Sequence, residues 1–171
     1  MILEIEKKYL LREEGIDHAT EALLGLYPSV DHLKDCVLKN GVCIRQGYIT
    51  DFRLFCELVD FPPKEVRLRD KGGAYFLTFK GEGCLLREEC EIPLDKVVFD
   101  RDWLKTESRR VEKVRYARDI GLYTVEFDVY TNRDLIVAEI EVPSLKMLVG
   151  LPVLGRVVTE DKRYKNRNLA R

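Results

Sequence analysis

Ile2-Leu3-Glu4-Ile5-Glu6-Lys7-Lys8-Tyr9-Leu10 opens the chain with an alternating pattern. In an extended strand, residues two apart share a face. Glu4, Glu6 and Lys8 therefore line one side, with Leu3, Ile5 and Tyr9 on the other. The period of two returns in Cys43–Ile49, Lys64–Asp70, Ala74–Lys80, Leu85–Ile92, Arg109–Arg118, Leu122–Tyr130 and Leu135–Val142, which predicts eight strands. Short turns at Lys71-Gly72-Gly73, Gly81-Glu82-Gly83 and Thr131-Asn132-Arg133-Asp134 imply antiparallel neighbours.

The polar face of these strands is charged throughout. It carries Glu65, Arg67 and Arg69, then Lys80, then Arg87, Glu89 and Glu91. Lys113 and Arg115, Glu126 and Asp128, and Glu139 and Glu141 follow. One reading is an ordinary sheet with that face in water. The other is a closed barrel with the charges inside. Like charges stacked on single strands repel, and they make sense if something of opposite charge lies between them. Amphipathic helices also need an apolar surface to cover. Helices are predicted from a cap at Asp17 with Ala22, Leu23 and Leu26, and over Val30–Leu38, Pro93–Leu104, Leu145–Leu151 capped by Ser144, and Arg163–Ala170. If they cover the apolar side, the charges turn inward, and eight strands can enclose one small ligand. The expected class is α+β, mainly antiparallel β: an eight-stranded closed barrel with a charged interior and helices outside, over one domain, 1–171.

Composition narrows the chemistry. The 171 residues hold 29 Lys and Arg against 30 Asp and Glu, a net charge of −1, which argues against nucleic acid as a partner. There is no apolar run of membrane-spanning length, and the charged start is unlike a signal peptide. Cys36, Cys43, Cys56, Cys84 and Cys90 never fall as C-x-x-C, so they are expected to be packing residues in a reducing cytoplasm. His18 and His32 are expected at the surface, which leaves little for nucleophilic catalysis to build on. Carboxylate clusters without His or Cys suit Mg²⁺ or Mn²⁺, and Arg and Lys clusters suit phosphate oxygens. Both in one cavity suggest a metal-bound polyphosphate held by side chains, since no P-loop is present.

Glu4-Ile5-Glu6-Lys7-Lys8 resembles the E-x-E-x-K signature of the CYTH superfamily, the triphosphate tunnel metalloenzymes. The likeness continues through Ile44–Ile49, Glu65–Arg69, Tyr75–Lys80, Arg87–Glu91, Arg110–Tyr116, Val125–Val129, Glu139–Val142 and Val158–Asn166. It is nearest to the short bacterial members acting on inorganic tripolyphosphate. The resemblance implies a triphosphate inside the tunnel and a divalent metal. By position, Glu4, Glu6, Glu139 and Glu141 would hold metal, helped by Glu89, Glu91, Glu126 or Asp128. Lys8, Arg67, Arg69, Lys80, Lys113 and Arg115 would hold phosphate. Tyr48 and Lys113 are similar to a tyrosine–lysine pair that tunes cleavage, so the catalytic set is Lys113, Tyr48, Glu4 and Glu6. Arg115 beside Lys113 lowers the lysine pKa, and Lys113 is then either a base acting through Tyr48 or a phosphate anchor. Residues Arg12–Val42 exceed the shortest members and are expected to lid or narrow a tunnel mouth. A class IV adenylate cyclase, a thiamine triphosphatase and a non-enzymatic polyphosphate-binding module are the competing readings, and a homodimer stays open.

Overall fold

The computed structural model describes residues 2–170. In chain order the strands are β1 (Ile2–Glu13), β2 (Ile16–Asp17), β3 (Val42–Tyr48), β4 (Glu65–Lys71), β5 (Ala74–Lys80), β6 (Leu86–Leu94), β7 (Arg110–Ile120), β8 (Tyr123–Tyr130), β9 (Leu135–Glu141) and β10 (Arg156–Val157). The helices are α1 (Glu21–Leu24), α2 (Val30–Asn40), α3 (Lys96–Trp103) and α4 (Asn166–Leu169). Hydrogen bonding runs β1–β6–β5–β4–β3–β7–β8–β9, and β9 returns to β1, so eight antiparallel strands close a barrel. The β4–β5 turn has Gly72 and Gly73 at φ +60° and +92°. Two successive left-handed residues match the right-handed twist of a tight hairpin.

Strand β1 is the seam. Its first half, Ile2–Ile5, pairs with Glu89–Leu86 of β6, while Glu6–Glu13 pairs with β9. Beyond that, β10 takes the edge that β6 leaves, with Tyr9 opposite Val157 and Leu10 opposite Arg156.

The apolar side faces out, under helices and loops. Tyr9, Leu11, Val114, Val125, Phe127 and Val129 meet Leu23, Tyr27, Val30, Leu33 and Val37 of the 17–41 segment. Tyr27 packs edge-on to Phe127, with centroids 5.6 Å apart. A second outer cluster joins Val66, Leu68, Leu77 and Phe79 to Ile49, Phe61 and Phe99. The Arg12–Val42 insert is thus cladding on β7 and β8 and does not lid a mouth, because its apolar stripe finds the apolar wall first.

Local expectations need four corrections. Asp17 caps no helix: it lies in β2, where Arg12 holds its carboxylate at 2.6 Å, and Thr20 precedes α1. Pro93 and Leu94 finish β6, so α3 starts at Lys96, and Val97 is exposed while Phe99 is buried. Leu145–Gly150 is a 3₁₀ turn and Ser144 makes no side-chain cap, whereas the short helix expected over Arg163–Ala170 is present as α4, shortened to Asn166–Leu169 behind a 3₁₀ turn at Lys162–Tyr164. Cys43 is exposed, and Cys84 borders the barrel interior. Cys36 and Cys90 do pack against the outer clusters. His32 is exposed and His18 half-buried. Among the described residues, no helix is long and apolar enough to cross a membrane.

Replacing Phe127 with Ala empties the contact between barrel wall and cladding and should cost about 3–5 kcal/mol. Urea unfolding measures it, and a loss below about 1 kcal/mol would mean that the insert is not seated on that wall.

Candidate active site

Because side chains alternate along each strand, an apolar outer face commits the charged face to the interior. The bore is about 240 Å³. Glu4, Glu6 and Lys8 of β1, Arg67 and Arg69 of β4, Lys80 of β5, Arg87, Glu89 and Glu91 of β6, Arg115 of β7, Glu126 of β8, and Glu139 and Glu141 of β9 all line it. The metal-side and phosphate-side candidates thus share one cavity, apart from three deep residues. Lys113, Asp128 and Tyr48 stand behind the lining, 2 %, 0 % and 2 % exposed.

Lys80 Nζ lies 2.7 Å from Glu4 and 2.5 Å from Glu89. Arg87 Nε donates to Glu4 at 2.7 Å. These cations more than offset the burial that raises the Glu4 pKa, and they hold its carboxyl well below the usual range. Lys8 pairs with Glu139 at 2.8 Å. Burial works against the Lys8 charge, but Glu139 and Glu6 outweigh it and raise its pKa. Arg115 reaches Asp128 and Glu139, both at 2.6 Å, and also binds Glu126. Burial opposes the Glu139 charge, yet Lys8, Arg115 and Lys113 hold its pKa well down.

Asp128 gives both carboxylate oxygens to cations. Lys113 Nζ donates to Oδ2, and Arg115 donates to Oδ1 and Oδ2. Burial first, then the Arg115 charge, lowers the Lys113 pKa. The Tyr48 hydroxyl accepts from Gln46 Nε2 at 3.4 Å, and burial pushes its pKa up. Glu91 accepts from Thr78 at 2.9 Å and Arg69 at 3.1 Å.

Two sets of groups remain short of partners. Arg67 is 3 % exposed, and its Nη1 comes only within 4.0 Å of Glu65. Its Nε and Nη2, with Nε of Arg69, are buried and lack a well-formed hydrogen bond among the described residues. Glu6 has only distant cations, Arg87 at 3.5 Å and Lys8 at 3.7 Å, so burial leaves its pKa raised. It stands directly across from Glu141, whose pKa rises through burial and the nearby charges of Glu4, Glu126, Glu89 and Glu6. Burial also raises Glu89 and Glu126. In the closed order, β4 lies four strands from β9 in either direction. Unspent guanidinium donors and under-neutralised carboxylates therefore face each other across the bore.

Among the described residues, no three His, Cys, Asp or Glu side chains already converge as metal ligands. The donor chemistry still fits a hard divalent ion: oxygens only, several with pKa raised by burial and short of positive charge. Sequence reasoning passed over Glu65, Gln46 and Arg87 as site residues, although each lies on a strand face that also carries predicted ones. It also gave no role to Thr159, Tyr164, Lys165 and Asn166, which border the cavity from a segment without strand periodicity.

A scan of protein-family profiles finds no match. Two relatives are named inorganic triphosphatase. One, from Nitrosomonas europaea, is 39 % identical over 137 residues, spanning 77 % of this chain and 85 % of its own. The other, from Acetivibrio thermocellus, is 36 % identical over 143 residues, spanning 78 % and 83 %. A solved inorganic triphosphatase superposes with TM-score 0.57 at 32 % identity, covering 99 % of this chain and 95 % of that one. The barrel alone is shared with a Hippeastrum protein of dominant triphosphatase activity, TM-score 0.50 at 14 % identity. With that identity over most of both chains, and with its strands closed around charge, this chain belongs to the inorganic triphosphatases of the CYTH superfamily.

Proposed function

We propose that the chain hydrolyses the terminal phosphoanhydride of inorganic tripolyphosphate, giving pyrophosphate and orthophosphate, with Mg²⁺ or Mn²⁺ as cofactor. The observation that carries this reading is Arg67: a buried guanidinium with two unspent nitrogens facing a wall of under-neutralised carboxylates. An anion that also brings a cation satisfies both walls at once. A phosphate chain with its metal is such a ligand.

Glu4, Glu6, Glu139 and Glu141, with Glu89, Glu91 and Glu126, would hold the cation. When bound, it supplies charge neutralisation and an acidified water. Arg67, Arg69, Lys80, Lys8 and Arg115 hold phosphate oxygens and meet the charge that builds on them as the bond breaks. Asp128 acts as counter-ion to Lys113 and Arg115, its oxygens being already taken. Lys113, with its lowered pKa, is suited to accept a proton or to anchor an oxygen, and Tyr48 lies deep beside Arg67. A cyclase would need a platform for the nucleobase, and among the described residues the only ring bordering the bore is Tyr164. That favours the triphosphatase reading over ATP cyclisation.

Phosphate release from tripolyphosphate, ATP and thiamine triphosphate, each with Mg²⁺ and with Mn²⁺, tests the reading. Tripolyphosphate should be turned over fastest and no cyclic AMP should form. Cyclic AMP as the main product would assign the barrel to a lyase.

Glu6→Gln separates binding from folding. The raised pKa means that the Glu6 charge is a burden on the metal-free fold. The neutral variant should therefore melt at or above the parent temperature in chelator, while turnover falls about 100-fold or more. Retained turnover would remove Glu6 from the metal site.

The pH dependence has two opposite signs. With Glu6, Glu89, Glu126 and Glu141 raised, the folded chain binds more protons than the unfolded chain over an interval just above the ordinary carboxylate range. Acidifying across that interval stabilises the metal-free protein. Glu4 and Glu139, held low, lose their contribution only as the pH falls below it. Metal affinity runs the other way, because the ligands must be ionised. Melting curves from about pH 7.5 to about pH 5 should show the Mg²⁺-induced rise in Tm shrinking while the chelated Tm holds or climbs. A chelated Tm that falls over this interval would contradict the assignment.

A further inference from the structure

Three buried carboxylates of the barrel interior commit both oxygens to cations. Glu4 accepts from Lys80 on Oε1 and Oε2, Asp128 gives its two oxygens to Lys113 and Arg115, and Glu139 meets Lys8 with one oxygen and Arg115 with the other. Glu91 is held differently. Thr78 Oγ1 donates to its Oε1 at 2.9 Å, and Arg69 Nη1 donates to the same oxygen at 3.1 Å. Its Oε2 takes no hydrogen bond among the described residues. Arg69 in turn keeps a buried Nε without a well-formed hydrogen bond among them. The pair therefore has an open acceptor at one end and an open donor at the other.

Thr78 sits at the middle of that pair. Leu77 and Phe79 belong to the outer cluster, so Lys80, Thr78 and Phe76 are the inward positions of β5. The register sets Thr78 opposite Arg67 of β4 and opposite Glu91 of β6. The rungs on either side place Lys80 between Glu65 and Glu89, and Phe76 between Arg69 and Pro93. Thr78 is thus the neutral step at which the guanidinium wall meets the carboxylate wall. To meet, Arg69 and Glu91 must reach across β5, a span of about 9.6 Å at two strand spacings. The Glu91 side chain is 33 % exposed. An ion pair between two long side chains, one of them that exposed, is worth little, because fixing their rotamers offsets the attraction. Thr78 is fully buried, and its branched side chain has a stiff χ1. Its hydroxyl gives Glu91 a fixed point that the pair alone lacks.

We propose that Thr78 is a positioning residue: it pins Glu91 with one oxygen on Arg69 and the other kept for the cation, so that cation and phosphate binding reinforce each other. The proposal rests on the triphosphatase reading and gives a task to a residue that holds neither ligand itself. With the hydroxyl in place, a cation on Glu91 Oε2 and a phosphate oxygen on Arg69 Nε share one preorganised unit, and each ligand favours the other by the same factor. Without it, Arg69 and Glu91 still attract but sample many rotamers, and the two ligands bind more nearly independently.

Calorimetric titration of the full chain tests this. The probe is the triphosphate analogue whose two bridging oxygens are replaced by methylene groups, titrated once in chelator and once in Mg²⁺. The ratio of the two affinities measures the coupling. Thr78→Val keeps the shape and removes the hydroxyl, and the coupling should fall about tenfold or more, the size expected for a lost hydrogen bond to a charged group. Thr78→Ser keeps the hydroxyl and should hold the coupling within about threefold of the parent. Glu91→Gln should lose at least as much as Thr78→Val, and adding Thr78→Val to it should cost nothing further, because both changes break one unit. Unchanged coupling in Thr78→Val, a loss that Thr78→Ser shares, or losses that add in the double variant would each overturn the proposal. If Thr78→Val does not fold, the other two single variants decide: parental coupling in Glu91→Gln, or a loss of about tenfold in Thr78→Ser, overturns it. Tripolyphosphate hydrolysis by the parent is followed alongside. If hydrolysis is absent while the coupling behaves as expected, the triphosphatase reading fails and the assignment of Thr78 stands.

Discussion

Charge that cannot reach water must find charge, and this barrel is organised around that requirement. An isolated ion in a protein interior costs several kcal/mol even after relaxation, and this bore is lined by more than a dozen ionisable side chains. The structure tolerates them because they interlock. Asp128 is clasped by Lys113 and Arg115, Arg115 reaches on to Glu139, and Glu139 is held by Lys8. Once the charged face is committed inward, the apolar face must look outward and be covered. The helices of the 17–41 segment and the Phe61–Phe99 cluster then follow as cladding.

The interlock is uneven. Paired groups such as Glu4 and Glu139 stay ionised, while Glu6 and Glu141 are pushed toward protonation. Across the bore, Arg67 keeps two buried nitrogens, Nε and Nη2, without a well-formed hydrogen bond among the described residues. Replacing these groups with apolar ones would relieve the fold, since buried ions are weak contributors to stability. Their presence is a cost to the fold, and under the proposed function a ligand that brings both a cation and a chain of anionic oxygens would offset it. Selectivity follows from the same asymmetry: a bare anion relieves one wall, a bare cation the other.

The sequence exposed the barrel because period-two alternation is a strong signal and like charges stacked on one strand are a rare one. Glu139 over Glu141 and Arg67 over Arg69 already asked for something between them. The connections were less legible. Asp17 looks like a cap until the Arg12 guanidinium in the neighbouring strand claims it. The 12–42 insert looks like a lid until its apolar stripe is seen against Phe127 and Val129. Tertiary contacts decide both, and neither is encoded in local spacing. Arg87 was visible on a charged face, but only the register that sets it beside Glu4 gives it a role.

The segment after β10 was least legible of all, because it has no period. Its work is to mend the seam where β1 passes from β6 to β9. There the backbone of Lys8 has no partner in β6 and uses Val158 and Thr159. Lys8 is also the residue whose ammonium holds Glu139. The same backbone bonds that complete the barrel wall therefore fix a charged side chain inside the bore. They also carry Tyr164 into its apolar cluster. Barrel wall and ligand wall are thus set by one stretch of chain. Loosening that stretch would disturb strand pairing and charge balance together, which is the physical reason a stretch without periodicity is held so firmly against β1.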